Sequence, residues 1–218
     1  MSAPLARMRD LSVAYRADGR TVHALRGVDL DLIAGEKLAV IGESGSGKST
    51  LSLALAGLLP DEAKRGGTID WPGLGRAPRP GRDIGVVFQD PGYSLNPVLR
   101  IGEQVAEGAR RHLDFDRRAA REHARDLLSR VRIPDPESAL DAYPHQFSGG
   151  QRQRIAIAGA IAARPALLIA DEATSALDTV VQAEIAALLD TLVREEAMTL
   201  LFVTHDIALA AGLSDRLA

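Results

Sequence analysis

The amino-acid sequence predicts an α/β fold with a mainly parallel sheet that helices cover on both faces. Buried parallel strands read as continuous apolar runs, and four such runs occur, at 37–41, 84–88, 166–170 and 199–204. Helix-prone segments lie between several of them, at 51–56, 152–163 and 180–196. Strands that alternate with helices in this way are typical of a parallel sheet. Apolar residues make up 46% of the chain, enough for a substantial core.

Composition excludes several classes of function. The 218 residues suit one large domain, or a domain with a small second lobe. A net charge of −3 gives no global attraction to nucleic acid or to an anionic membrane. The absence of cysteine excludes disulfides and thiol catalysis. Residues 1–7 lack the apolar core of a signal peptide, and Arg164-Pro165 interrupts the nearest approach to a membrane-spanning run. We therefore expect a soluble subunit.

The first part of the chain is expected to be strands and turns. Residues 6–41 read as strands, with a hairpin-type turn at 17–20 and another turn at 34–36. Residues 60–83 are rich in glycine and proline, which predicts an irregular connection around one short strand at 68–71.

Residues 90–150 interrupt the alternation of strands and helices with helices alone, so we expect them to form a separate helical lobe. Residues 101–132 are predicted to be mostly helical and to end at the prolines of 133–136. One face of this segment is apolar, through Ala120, Ala124, Leu127, Leu128 and Val131. The opposite face mixes arginines with acids, which favours a solvated helix over a nucleic-acid surface.

Residues 42–50, Gly-Glu-Ser-Gly-Ser-Gly-Lys-Ser-Thr, fit the pattern of a phosphate-binding loop between a strand and a helix. Its glycines let backbone N–H groups approach phosphate oxygens, and the following helix adds its positive end. Lys48 supplies a charge for the β- and γ-phosphates, and the Ser49 hydroxyl can ligate Mg²⁺. A plain glycine-rich turn would not need Lys and Ser after its last glycine. The loop therefore predicts a nucleoside triphosphate as the ligand.

Polar residues at the ends of three apolar runs suggest one shared site. Asp171 and Glu172 end one predicted strand, where Asp171 can hold Mg²⁺ through water and Glu172 can polarise a water. Gln89 and His205 end two others. The alternatives are that Asp171 and Glu172 only end a strand in solvent and that His205 has only a structural role.

Residues 147–151, Phe-Ser-Gly-Gly-Gln, precede a helix expected to begin near Arg152. A serine and two glycines at a helix start form a second anion-binding end, or an ordinary N-cap.

Taken together, these motifs resemble, in identity and order, those of the ATP-binding subunit of an ABC transporter: the loop at 42–50, Gln89, the signature at 147–151, Asp171-Glu172, the turn at 175–178 and the switch His205. The resemblance covers the chain from about residue 10 to its end. It implies a single domain over 1–218 with a P-loop NTPase core. In that domain a RecA-like core and an antiparallel β subdomain occupy about 1–89 and 151–218, and an inserted helical subdomain occupies about 90–150.

The resemblance also implies roles for matched residues. Glu172 would be the general base, His205 would contact the γ-phosphate, and Ser49, Gln89 and Asp171 would hold Mg²⁺, with Gln89 and Lys48 counted among the catalytic groups. Tyr15 would stack on adenine, or would be a core tyrosine. The residues implied to contact ATP in one or other copy are Tyr15, Gly42, Glu43, Ser44, Gly45, Ser46, Gly47, Lys48, Ser49, Thr50, Ser148, Gly149, Gly150, Gln151 and Asp178.

In this family two domains face head to tail, so the signature turn of one completes the ATP site of the other. The implied partners are a second ATPase domain, identical or not, integral membrane permease subunits and, indirectly, a substrate-binding protein. No direct contact with nucleic acid is expected. The implied location is the cytoplasmic face of the inner or plasma membrane, through the permease.

A narrower similarity, through 87–97, 143–146, 168–172 and 181–185, is to importers of di- and oligopeptides and nickel. Ala173 departs from the family's usual proline, and Phe147 from its leucine. The chain stops where relatives begin another strand, so we expect a truncated C-terminus.

The alternative function is a non-transport ATPase module in a soluble complex, such as carbon–phosphorus lyase, or one acting on nucleic acid. A non-hydrolysing domain is disfavoured because Lys48, Gln89, Glu172 and His205 are intact.

Overall fold

A computed structural model describes residues 3–17, 20–175 and 177–218. The predicted hairpin turn at 17–20 lies partly outside these ranges, as does Ala176 in the turn at 175–178. No helix within the described ranges combines the length and the apolar character that crossing a membrane requires.

An antiparallel sheet forms first, as predicted. Strands β1 (Pro4–Ala17) and β2 (Arg20–Ile33) pair antiparallel, and β4 (Lys64–Asp70) pairs with the other edge of β1. The strand predicted at 68–71 is therefore longer and begins at Lys64. Gly66 and Gly67 have low strand propensity, so the sequence does not indicate a strand there. Hydrogen bonding to β1 nevertheless holds these residues in a strand.

The second sheet is parallel and has the strand order β5-β6-β7-β3-β8. Its strands are β3 (Lys37–Ile41), β5 (Ile84–Val87), β6 (Leu167–Asp171), β7 (Thr199–Thr204) and β8 (Arg216–Leu217). Because all pairs are parallel, the carboxyl ends of the strands meet at one edge. The sheet is buried on both faces, since successive residues of β7 pack into different cores: Leu200 and Phe202 into one, Leu201 and Val203 into the other.

Helices cover both faces of this sheet. One core joins the sheet to α1 (Lys48–Ala56) and to the antiparallel strands. The other core joins it to a larger set of helices, which includes α6 (Gly149–Ile161), α7 (Thr179–Glu195) and α8 (Ile207–Leu213). Helix α6 was expected to start near residue 152, but it begins at Gly149, so the two glycines of the signature lie in its first turn.

Residues 91–146 contain helices only, in agreement with the sequence. They form α2 (Pro91–Ser94), α3 (Ile101–His112), α4 (Arg117–Arg130), α5 (Pro136–Asp141) and a 3₁₀ turn at Pro144–Gln146. The helical stretch predicted at 101–132 is two helices. Asp114 has a φ of 54°, which ends helical backbone, and the Asp116 carboxylate accepts the N–H of Ala119 and caps α4. The predicted apolar face of α4 is buried in the same core as β6.

Candidate nucleotide-binding site

The loop at 42–47 connects the carboxyl end of β3 to the start of α1, as the sequence predicts. Gly45 and Gly47 have φ values of 80° and 100°, which L side chains rarely adopt. A Cβ on Gly47 would also lie 2.4 Å from the carbonyl oxygen of Ala24 in β2. Residues 43–46 are exposed, so the loop backbone is open to a ligand.

Helix α1 has no side-chain cap at its N-terminus. Its first backbone bond runs from the N–H of Leu51 to the carbonyl of Gly47, so the N–H groups of residues 48–50 have no acceptor within the helix. In contrast, the N-termini of several other helices are each capped by a side chain, namely Asp116, Asp135, Ser148, Asp178 and Asp206. The start of α1 therefore presents unsatisfied donors and the positive end of a helix, which together favour an anion.

The Lys48 side chain lies in the concave side of the loop and is buried, with 6% of its surface exposed. Its ammonium donates to the carbonyl oxygens of Gly42 and Glu43, at 2.8 Å each. The same nitrogen lies 3.8 Å from a carboxylate oxygen of Glu172 on β6's carboxyl side. The loop thus holds one positive charge beside the acid that the sequence assigned to the same site.

Asp171 and Ser49 connect β6 to α1. The Ser49 hydroxyl donates to Asp171 Oδ1 at 3.2 Å. Burial raises the pKa of the Asp171 carboxyl, and the neighbouring charge of Glu172 adds to that shift, whereas the Ser49 hydroxyl and Lys48 oppose it. An ionised Asp171 is therefore costly in the ligand-free protein, and a cation bound nearby would relieve that cost.

The oxygens of Ser49 and Asp171 suit Mg²⁺, which prefers hard oxygen ligands. Within the described ranges no group of three or more His, Cys, Asp or Glu side chains could hold a metal ion. Mg²⁺ bound to a nucleotide takes one or two protein oxygens and completes its coordination with phosphate and water. The residues present therefore fit a metal that arrives with a triphosphate.

Glu172 has a left-handed backbone, with a φ of 47°. Its N–H donates to the carbonyl of Val203 in β7 at 2.9 Å, and its own carbonyl accepts from both the N–H and the hydroxyl of Ser175. The sequence did not indicate this role for Ser175. Only its place three residues after Glu172 could have suggested it, because serine hydroxyls often bond a backbone carbonyl nearby.

Gln89 and His205 follow β5 and β7, the two neighbours of β6 in the sheet. Both residues are exposed at the carboxyl edge where Glu172 lies. The topology thus brings the three predicted strand-end residues and the phosphate loop to one edge of the sheet.

Tyr15 lies in β1 and its hydroxyl donates to Thr50 Oγ1 of α1 at 3.4 Å. The ring is partly buried and packs against the core beneath α1. Its position is therefore compatible with both interpretations from the sequence, a core residue and a residue beside the nucleotide.

The signature turn lies on a different element. Ser148 caps α6 by accepting the N–H of Gln151, while the Gln151 side chain accepts the N–H of Ser148. A Cβ on Gly150 would lie 3.0 Å from Val181 of α7. Asp178 is exposed and caps α7 through the N–H of Val181. Among the described residues, no hydrogen bond or ion pair joins 148–151 or Asp178 to the loop at 42–50.

The phosphate loop lies between a strand and a helix, and two acids lie near it at the end of β6. This arrangement defines a P-loop nucleotide-binding ATPase. The family model for "ABC transporter" matches residues 25–175, and the chain belongs to that family. It is an ATPase of the ABC type.

Named relatives and solved structures agree with this assignment. A Brucella abortus protein named for ATP binding in peptide import is 45% identical over 99% of this chain and 68% of its own length. The oligopeptide transport ATP-binding protein OppD of Bacillus subtilis is 42% identical over 98% of this chain and 63% of its own length. An ATP-binding cassette solved as a dimer in a post-hydrolysis state, bound to ADP and Pi, is 28% identical, with a TM-score of 0.82. That match covers 97% of this chain and 92% of the other.

Proposed function

We propose that this chain binds and hydrolyses ATP to drive import of di- or oligopeptides, or of nickel, through separate membrane subunits. The observation that carries the proposal is the convergence of Lys48, Asp171 and Glu172 at the start of an uncapped helix. The names of the relatives support peptides as the substrate class.

In the proposed mechanism, Lys48 and the first N–H groups of α1 bind and orient the phosphates. Ser49, Gln89 and Asp171 would hold Mg²⁺, with Asp171 acting through water; when bound, the ion would neutralise charge on the phosphate oxygens. Glu172 accepts a proton from the attacking water, and His205 contacts the γ-phosphate. The nearness of Lys48 to Glu172 supports this division of roles, because it places the base beside the group that binds the phosphate.

The other site residues act at the edges of the nucleotide. Tyr15 stacks on adenine, and Ser148 to Gln151 complete the site of a second copy, with Asp178 at the interface between copies. The exposure of Asp178 supports a partner that brings these residues to the loop at 42–50. Within one chain, no hydrogen bond or ion pair of the described residues joins 148–151 to that loop. We propose that the partner is a second ATPase domain, that permease subunits hold the pair at the cytoplasmic face of the membrane, and that a substrate-binding protein acts through that permease.

The alternative is a module in a soluble complex or on nucleic acid, and the arginines of 117–130 are the sequence feature that would support it. In the structure several of these are paired with acids. Arg118 bonds Glu122, Arg121 bonds Asp141, and Arg130 contacts Glu195 and Glu196. Paired arginines attract phosphate backbones less, so this observation disfavours a function on nucleic acid.

Two variants test the proposal. Lys48→Ala removes a charged hydrogen-bond donor, so we expect ATP affinity to fall about 10- to 100-fold. Lys64→Ala, at an exposed lysine of β4, is the matched control. Glu172→Gln should retain Mg-ATP and accumulate as a dimer, measured by size-exclusion chromatography with light scattering. If Lys48→Ala binds a fluorescent ATP analogue as well as the control does, and Glu172→Gln forms no dimer, the proposal is wrong.

A further inference from the structure

The backbone of Glu172 is held on both sides by hydrogen bonds. Its N–H is fixed to Val203 at 2.9 Å. Its carbonyl is fixed by Ser175 twice, through the N–H and the hydroxyl, at 3.0 Å each. A left-handed conformation is unfavourable for glutamate and persists only where its surroundings enforce it. The hydroxyl of Ser175 is one of the few side-chain groups in the described residues that does so.

A second side chain holds the turn that carries Ser175. Gln182, in the first turn of α7, donates its side-chain amide to the carbonyls of Thr174 at 3.0 Å and Leu177 at 3.1 Å. Gln182 belongs to the segment 181–185 that resembles peptide and nickel importers, and the proposed mechanism gives that segment no role. Its two bonds attach Thr174 and Leu177, on either side of Ser175, to a helix whose inner face is buried in the core.

Ala173 permits the left-handed backbone of Glu172 but does not enforce it. A proline would push the residue before it toward extended backbone, whereas Glu172 precedes an alanine and has a φ of 47°. Ala173 is buried, and its methyl group places no such restriction on the residue before it. The conformation of Glu172 therefore depends on the hydrogen bonds of its neighbours.

We propose that Ser175 and Gln182 are positioning residues for Glu172. They act through the backbone of the turn and aim the carboxylate at the place beside Lys48 where the water and γ-phosphate meet. This inference rests on the proposed role of Glu172 as general base. The direction of a side chain follows from the φ and ψ of its residue, so a relaxed turn would move the carboxylate away. A misplacement of about 1 Å in a catalytic group can cost about 100-fold in rate.

The test uses the full chain with Mg-ATP and measures kcat, KM and ATP affinity. Ser175→Ala removes the hydroxyl. Gln182→Glu keeps the shape of the side chain but replaces its amide donor with a carboxylate, which cannot donate to the two carbonyls. We expect each to lower kcat about 10-fold or more, with KM and affinity changed less than two-fold. Ser175→Thr, which keeps a hydroxyl, should recover most of the rate. Thr191→Ala is the control. It removes an exposed hydroxyl that donates to the carbonyl of Ala187, one turn earlier in α7, and should leave kcat unchanged.

A double-mutant cycle separates positioning from general loss of structure. In a Glu172→Gln background, Ser175→Ala should lower the residual rate no further, because the group that it positions is already gone. A further loss of the same size, or a wild-type kcat for both Ser175→Ala and Gln182→Glu, would overturn the inference. Failure of Glu172→Gln itself to lower kcat would instead overturn the proposed role of Glu172, so the two failures are distinguishable.

Discussion

The carboxylate of Asp83, the residue directly before β5, organises the connection at 76–83. The Arg76 guanidinium donates to both of its oxygens, at 2.6 and 2.9 Å, and the N–H of Arg79 donates to one of them at 2.7 Å. These contacts lower the pKa of Asp83 to about 2, with the bond from Arg76 as the largest cause. We therefore expect Asp83→Asn to destabilise the protein at neutral pH.

The size of the effect follows from the pKa. The change from the ordinary value of 3.8 to about 2 corresponds to about 2.4 kcal/mol. Because the Arg76 side chain is 43% exposed, solvent screening reduces this to about 1.5–2 kcal/mol. For a chain of 218 residues, that loss lowers Tm by about 4–7 °C.

The pH dependence has a definite sign. A carboxyl whose pKa is lower in the folded state stabilises the protein fully above its unfolded pKa, and this contribution is lost as pH falls through the folded pKa. The difference between wild type and Asp83→Asn should therefore be complete at pH 7 and about half gone near pH 3.

Circular dichroism during thermal unfolding at both pH values measures this difference. Asp61→Asn, at an exposed aspartate, is the matched control. The reasoning is refuted if Asp83→Asn and Asp61→Asn melt within 1 °C of each other at pH 7. It is also refuted if their separation is as large at pH 3 as at pH 7.

Three further predictions concern the acids of the site. Asp171→Asn should raise the Tm of the ligand-free protein at pH 7, because burial raises the pKa of Asp171 and makes its charge costly; the gain should vanish at low pH, where the wild-type carboxyl is neutral. The same variant should lose most of the additional Tm increase that Mg²⁺ gives with ATP, measured by thermal shift with and without the metal. Glu172→Gly should melt about 2 °C or more above Glu172→Gln, since glycine adopts a φ of 47° without the cost of about 1 kcal/mol that a side chain carries. Equal melting temperatures would show that this backbone is not strained.

Much of the fold was predictable because its signals are local. The motif at 42–50 predicts the strand before it and the helix after it. The apolar runs of β6 and β7 each predict a strand without reference to the rest of the chain. The start of β4 at Lys64 was not predictable, since residues 64–67 carry no alternation and form a strand only against β1. There Gly67, with a φ of 75°, lies opposite the irregular pairing at Asp10, where a Cβ would come within 2.2 Å of a carbonyl oxygen.

Some of the missed features had a signal in the sequence and others had none. Asp116 is a good N-cap and could have divided the helical stretch at 101–132 into α3 and α4. The left-handed backbone of Glu172 could not be predicted, because it depends on Val203, which lies 31 residues further along the chain. The bonds of Ser175 depend in turn on where that backbone lies. The sequence therefore predicts the chemical groups of the candidate site but not what orients them.

The uncapped start of α1 links the lifetime of this protein to its ligand. The phosphates of a bound nucleotide would act as the N-cap that the chain itself does not supply. A ligand at 100 times its dissociation constant stabilises the folded state by about 2.7 kcal/mol. When cellular ATP falls, the empty molecules would open more often and be more accessible to proteases.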